Sequence, residues 1–259
     1  MIEIITTRLK QGHRTTKFPL ESPTLPGRYR GRPNVDPSKC ADGCQQCVDA
    51  CPTGAIRVAN GLTLDLGKCL FCTACGEACP QGAITQTQDY RLAVSRRDDL
   101  LLKGGEFRLA GRMRDELYRI LGRALRLREV SAGGCNACES DVNVLNTVGW
   151  DLSRFGIQIV ASPRHADGLL ITGPVTENMK FALEKTYEAV PAPKLVIAVG
   201  ACAISGGPYI DQNETHNGAQ SVVPVDLYVP GCPPHPLTIL DGLLRLIGKI
   251  KTGERALTP

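Results

Sequence analysis

Cys40-Ala-Asp-Gly-Cys44-Gln-Gln-Cys47-Val-Asp-Ala-Cys51-Pro52 and Cys69-Leu-Phe-Cys72-Thr-Ala-Cys75-Gly-Glu-Ala-Cys79-Pro80 hold eight of the chain's twelve cysteines. The two segments repeat each other, with Cys51-Pro-Thr-Gly-Ala-Ile56 set against Cys79-Pro-Gln-Gly-Ala-Ile84. Three thiolates spaced two residues apart can wrap one face of an iron–sulfur cube. The fourth, held off by three residues and turned by proline, reaches the other cube. The spacing therefore pairs Cys40, Cys44, Cys47 and Cys79 on one [4Fe–4S] cluster, and Cys69, Cys72, Cys75 and Cys51 on a second. Three residues separate Cys40 from Cys44 where the repeat pattern has two, so Cys40 is the loosest of these positions.

Two other uses of clustered cysteines fit less well. Structural zinc favours Cys-x2-Cys pairs divided by a longer spacer, not three cysteines in a few residues followed by Cys-Pro. Disulfides need an oxidising compartment, and Met1 to Gly12 carries no signal-peptide apolar core. The stretch resembles a bacterial-type two-cluster ferredoxin over residues 34–88. Its apolar residues (Ile56, Val58, Leu64, Leu66, Ile84) are few, so bound clusters are expected to supply much of its stability.

The 259 residues allow a small and a medium domain, and the net charge of +4 is too mild to argue for nucleic acid. The charge is unevenly spread. Residues 1–35 carry seven Lys or Arg against two acids, and residues 106–128 carry seven Arg against three acids. The most apolar stretch, Leu195 to Gly207, is too short and too rich in Gly and Ala to span a bilayer. These features predict a cytoplasmic protein, soluble or peripheral on the cytoplasmic face of a membrane.

Ile2, Ile5 and Leu9 recur at helical spacing among Arg8, Lys10, Arg14 and Lys17. The pattern fits either a solvated arm or a short basic amphipathic helix lying on a membrane or a partner. Pro19, Pro23, Pro26, Pro33 and Pro37 make the next segment an extended connector. Beyond the ferredoxin-like unit, Leu109, Ala110, Met113, Leu117, Ile120, Leu121 and Ala124 predict a helix, its apolar face packed on one of the domains. The predicted organisation is an arm and connector over 1–33, a ferredoxin-like unit over 34–88, a basic helical linker over 89–126, and a second domain over 127–259.

That second domain alternates strands and helices. Strands are predicted at Leu127–Ser131, Ile157–Ser162, Gly168–Gly173, Lys194–Gly200 and Asp226–Pro230. Helices are predicted near 138–148, at Glu177–Ala189 and at Pro236–Ile250. Apolar runs such as Leu195 to Val199 suit strands buried on both faces, hence an α/β fold with a mainly parallel sheet. Ligands of such sheets sit beyond the carboxyl ends of the strands. Cys135 and Cys138, Cys202, and Cys232 each follow a predicted strand through glycine, which predicts a third [4Fe–4S] site built from all four.

Gly133-Gly-Cys135-Asn-Ala-Cys138-Glu139, Ser162-Pro-Arg-His-Ala-Asp167, Gly200-Ala-Cys202 with Ser205-Gly-Gly207, and Tyr228-Val-Pro-Gly-Cys232-Pro-Pro234 together resemble a known family. It is the small electron-transfer subunit, of the 20 kDa type, shared by energy-converting [NiFe] hydrogenases and respiratory complex I. The resemblance implies a flavodoxin-like domain whose cluster, on Cys135, Cys138, Cys202 and Cys232, lies closest to the active site of a large partner subunit. It also implies membrane subunits and an electron-donor module as partners, with bond chemistry in the large subunit.

Complex I subunits of this family carry adjacent cysteines at the first position, so Cys135-x2-Cys138 is more similar to hydrogenases. Residues 1–100 are similar to the ferredoxin-like subunit of formate hydrogenlyase, which makes the chain resemble two subunits fused. The reading is an oxidoreductase electron wire with three [4Fe–4S] clusters. A complex I-like quinone or other acceptor enzyme lacking nickel–iron is the alternative, and a non-turnover assembly or sensory module a further one. Glu139 is read as a helix-start carboxylate or part of a proton path at the partner interface, and Arg164 and His165 as cluster-tuning, partner-contacting or structural.

Overall fold

A computed structural model describes residues 2–121 and 124–250. The chain opens with a helix, α1 (Ile2–Gln11), and runs through an irregular connector into β1 (Pro33–Val35). The ferredoxin-like region follows with α2 (Gln46–Asp49), β2 (Ile56–Arg57), β3 (Thr63–Asp65), α3 (Ala74–Glu77) and β4 (Ile84–Gln86). Its two halves repeat in structure as they do in sequence. Each has a one-turn helix carrying a buried cysteine, Cys47 in α2 and Cys75 in α3.

β1 pairs with β4 in one small antiparallel sheet, and β2 pairs with β3 in another. The second sheet gains β5 (Leu101–Leu102), which pairs with β3. That strand comes from residues predicted as linker, because Leu100 and Leu102 close the apolar side of this small core. The expected linker helix is shorter than its periodicity suggests. Among the described residues of the predicted helix, α4 (Asp115–Leu121) is the helical part, while Ala110 and Met113 are buried from irregular backbone, with Met113 N–H donating to the Leu246 carbonyl. Ala110, Met113, Leu117 and Leu121 nonetheless pack on the second domain's core, while Ile120 of the expected apolar face stays exposed.

The second domain consists of β6 (Leu125–Ser131), α5 (Ala137–Val144), β7 (Ile157–Ile159), β8 (Gly168–Thr172), α6 (Glu177–Ala189), β9 (Leu195–Val199), α7 (Ala201–Ser205), β10 (Leu227–Val229) and α8 (Pro236–Leu246). The five strands pair in the order β7-β6-β8-β9-β10, all parallel. Every residue of β8, β9 and β10 is buried, as continuous apolar runs require. The order reverses at β6, so the crevice beside it at the carboxyl ends of β6 and β8 is the topological switch point. α8 stops at Leu246, short of the predicted Ile250, because Gly248 turns left-handed at φ +69.

The two halves share a core. Ile56, Leu62, Leu64, Leu66, Ile84 and Leu100 pack in one cluster with Ala198, Ala203, Ile204 and Tyr228 of the α/β domain. Val94 and Tyr228 exchange backbone hydrogen bonds across this seam.

Candidate metal centres

The Cys-Pro-x-Gly-Ala repeat has a direct structural meaning. After Cys51 and after Cys79 the chain turns through a left-handed glycine, Gly54 at φ +59 and Gly82 at φ +63. The turn brings the Ala55 N–H to the Cys51 sulfur at 3.2 Å and the Ala83 N–H to the Cys79 sulfur at 3.3 Å. Such N–H groups favour the sulfur carrying negative charge. Cys69 receives the Phe71 N–H in the same way, at 3.3 Å.

The thiols gather into three groups of four. Burial raises the pKa of Cys47, and the neighbouring thiols of Cys79, Cys40 and Cys44 push it up further. Burial lifts Cys69 to about 12, with Cys75, Cys51 and Cys72 adding to the rise. Cys75 is lifted to about 11, by burial and then by Cys51 and Cys72. Cys79 thus acts on Cys47 of the first half, and Cys51 on Cys69 and Cys75 of the second.

In the α/β domain, burial lifts Cys202 to about 12, reinforced by Cys232 and Cys135. Cys138 is pushed up strongly by burial and then by Cys202, Glu139, Cys232 and Cys135. Cys138 follows β6, Cys202 opens α7 directly after β9, and Cys232 follows β10. The approach is close enough that a Cβ on Gly200 (φ +92) would sit 2.5 Å from the Cys138 sulfur.

Four mutually repelling, partly buried thiols are stable as thiolates only around positive charge, and metal binding removes their protons. Among the described residues, no group of three His, Cys, Asp or Glu closes tightly enough for a single metal ion. The donor sets are all sulfur, a chemistry that suits iron–sulfur clusters.

A link between the second and third groups was not legible in the spacing. The Ser205 hydroxyl, on the helix of Cys202, donates to the Gly67 carbonyl at 2.7 Å, two residues before Cys69. Thr53 donates to the next carbonyl, Lys68, at 2.7 Å. A cavity of about 340 Å³ lies between the same groups, lined by Leu70 and Phe71 on one side and Gly231, Cys232 and Pro233 on the other. Arg30 reaches into this region and donates to the Phe71 carbonyl at 3.3 Å.

Glu139 does not cap its helix. Its buried carboxylate accepts hydrogen bonds from Ser131 and Thr172, each at 2.6 Å. Glu129, on β6, was not singled out in the sequence; it has a buried carboxylate oxygen with no partner, and burial followed by Glu139 raises its pKa to about 7. Arg164 and His165 are exposed on the turn Pro163–His165 that follows β7.

Residues 135–246 match the family described as NADH ubiquinone oxidoreductase, 20 Kd subunit, and residues 39–83 match the 4Fe-4S dicluster domain. The chain is 40% identical to the Pyrococcus furiosus protein named "probable membrane-bound hydrogenase subunit mbhJ", over 52% of this chain and 81% of that protein. It is 39% identical to an NADH-quinone oxidoreductase subunit of Symbiobacterium thermophilum, over 58% of this chain and 83% of that protein. With formate hydrogenlyase subunit 7 of Escherichia coli the identity is 39%, over 57% of this chain and 58% of the relative. By its four gathered thiols at the sheet's edge and by these matches, the chain belongs to the 20 kDa subunit family of NADH ubiquinone oxidoreductase, with a 4Fe-4S dicluster region placed before it.

Proposed function

We propose that this chain is the iron–sulfur electron-transfer subunit of a membrane-associated [NiFe] hydrogenase of the formate hydrogenlyase type. It would relay electrons between a donor module and a catalytic large subunit. Three [4Fe–4S] clusters are proposed, held by Cys40, Cys44, Cys47 and Cys79; by Cys51, Cys69, Cys72 and Cys75; and by Cys135, Cys138, Cys202 and Cys232. Bound clusters supply one-electron carriage. The chain's part is to hold the thiolates, donate N–H groups to their sulfurs and keep the donor sets at fixed separations.

The observation that carries this reading is the direct seam between the second and third thiol groups, where Ser205 holds the loop leading to Cys69. It supports an order in which the Cys40 group is outermost, the Cys51 group intermediate and the Cys135 group nearest the large subunit. Cys135 and Cys232 are exposed, which suits a site completed by a partner. The division at 34–88, 89–126 and 127–259 is retained in this proposal, with β5 returning from the linker to the first unit. Among the described residues no helix is long and apolar enough to cross a membrane, so attachment on the cytoplasmic face would be peripheral.

A complex I-like role, with a large subunit that reduces quinone or another acceptor, is the second reading. The NADH-quinone oxidoreductase relative, at 39% identity, favours it. The Cys135-x2-Cys138 spacing favours the first. Iron analysis tests the shared core of both. Anaerobically purified protein is expected to carry about twelve iron and twelve sulfide, and Cys232→Ala about eight of each. In that variant the two N-terminal clusters should stay reducible while the assembled complex loses turnover. Near-native turnover in an assembled Cys232→Ala complex would overturn the proposed route.

A further inference from the structure

α1 spans ten residues, and every one of them is exposed. Ile2, Ile5 and Leu9 share one face, at 78%, 56% and 77% exposure, while Ile4, at 74%, lies off that face. A helix this short is marginal in water without tertiary support. Single exposed aliphatic residues are ordinary, but three of them aligned on one face of a short helix call for a covering surface.

The base of this helix is fixed. Thr16 N–H donates to the Gly149 carbonyl at 2.8 Å, and the Thr15 hydroxyl to the Val148 carbonyl at 2.9 Å. Arg154 clamps the Thr16 and Phe18 carbonyls at 2.7 and 2.9 Å. Phe18 is buried edge-on against Tyr90. The strap thus docks on the α/β domain, and α1 extends from it uncovered. Val148, at the docking point, is itself 69% exposed and enlarges the apolar surface.

Charge identifies the occupant. Residues 2–17 carry Arg8, Lys10, Arg14 and Lys17 against the single acid Glu3. They contain no Phe, Tyr or Trp, the side chains that most often anchor protein interfaces. A narrow aliphatic stripe flanked by cations is the pattern of a helix lying in the headgroup layer of an anionic bilayer. We propose that α1 lies on anionic phospholipid, with Ile2, Ile5 and Leu9 turned to the acyl chains and Arg8, Lys10 and Arg14 beside the lipid phosphates. The proposal rests on the peripheral attachment argued above and names the element that makes it.

The test uses full-length, cluster-loaded protein and two vesicle types, phosphatidylcholine alone and phosphatidylcholine with phosphatidylglycerol. The wild type is expected to sediment with the anionic vesicles, little with the neutral ones, and to be released by salt. Ile5→Glu with Leu9→Glu should weaken binding by at least about tenfold, since two buried aliphatic side chains are lost. Leu9→Trp, a reporter in otherwise native protein, should shift its emission to the blue on anionic vesicles.

Unchanged binding by the double variant, or no emission shift, overturns the proposal. So does binding to a membrane subunit in detergent that the double variant loses while neither protein binds lipid, because the occupant is then protein. Iron content and reducibility are measured on the same samples. A failure of the cluster reading therefore shows there, separately from a failure at the lipid.

Discussion

Eight thiols of residues 40–79 meet through the turns of one short stretch, whereas Cys135, Cys138, Cys202 and Cys232 are carried together by three strands from distant parts of the chain. The difference extends to what holds each region up. The α/β domain has strands buried throughout and a helix, α8, whose eleven residues are all buried. Each fully buried Leu or Ile there contributes about 1.5–3 kcal/mol. The ferredoxin-like region has strands of two or three residues and completes its core with Ala198, Ala203, Ile204 and Tyr228 of its neighbour. In one half a prior fold brings thiols to an edge. In the other the thiol site and the fold are expected to form together, since its own strands are short and its core is shared.

Removing the iron is the harshest way to break this comparison. Chelation should abolish amide-exchange protection across Ile56–Asp65 while leaving β8 and β9 protected, because metal binding energy in the first region is folding energy. Exchange followed by mass spectrometry on loaded and stripped protein reads both regions at once. If protection is lost equally in both, the α/β domain also depends on its cluster and the contrast fails.

The same contrast explains what was legible in the sequence. The crossed grouping of Cys51 and Cys79 is an expectation from local spacing, and Cys79 influences Cys47 while Cys51 influences Cys69. The parallel sheet was legible because β8 and β9 are continuous apolar runs, and the glycines before Cys202 and Cys232 marked the strand ends. The linker helix was overread: Ala110 and Met113 are buried without being helical, so burial periodicity there reflects contact with α8 rather than local structure. The Ser205–Gly67 contact and the docking of Thr15 and Thr16 on residues 148–149 join segments more than a hundred residues apart. Nothing in the spacing of a single chain encodes such pairs.

A finer probe compares the two hydroxyls that hold neighbouring carbonyls of the Cys69 loop, Ser205 from the α/β domain and Thr53 from the ferredoxin-like region. Ser205→Ala leaves the buried Gly67 carbonyl without this donor and should cost about 1–3 kcal/mol. Thr53→Val should cost a similar amount. The distinction lies in where the cost appears. Thr53→Val should lower protection in the ferredoxin-like region alone, while Ser205→Ala should loosen the seam on both sides, at Leu66–Lys68 and in α7. Identical exchange maps for the two variants would mean that the seam and the loop behave as one unit.

The smallest expected effect concerns a carboxylate that the α/β domain buries beside its thiol site. Glu139 has two hydroxyl donors, but one oxygen of Glu129 has no partner, and burial with the charge of Glu139 raises Glu129 from 4.5 to about 7. An acid whose pKa is higher in the folded state costs nothing below its unfolded pKa. The cost grows as pH rises between the two values and is complete above the folded one. Glu129→Gln keeps the shape and removes the charge. It should therefore be close to neutral at about pH 5 and stabilising by about 1–2 kcal/mol at about pH 8, the figure being reduced because the side chain is only half-buried. Denaturant unfolding of both proteins at the two pH values measures this directly. An equal shift at both would show that the gain comes from packing, and the buried carboxylate pair would then no longer set the α/β domain apart from the ferredoxin-like region.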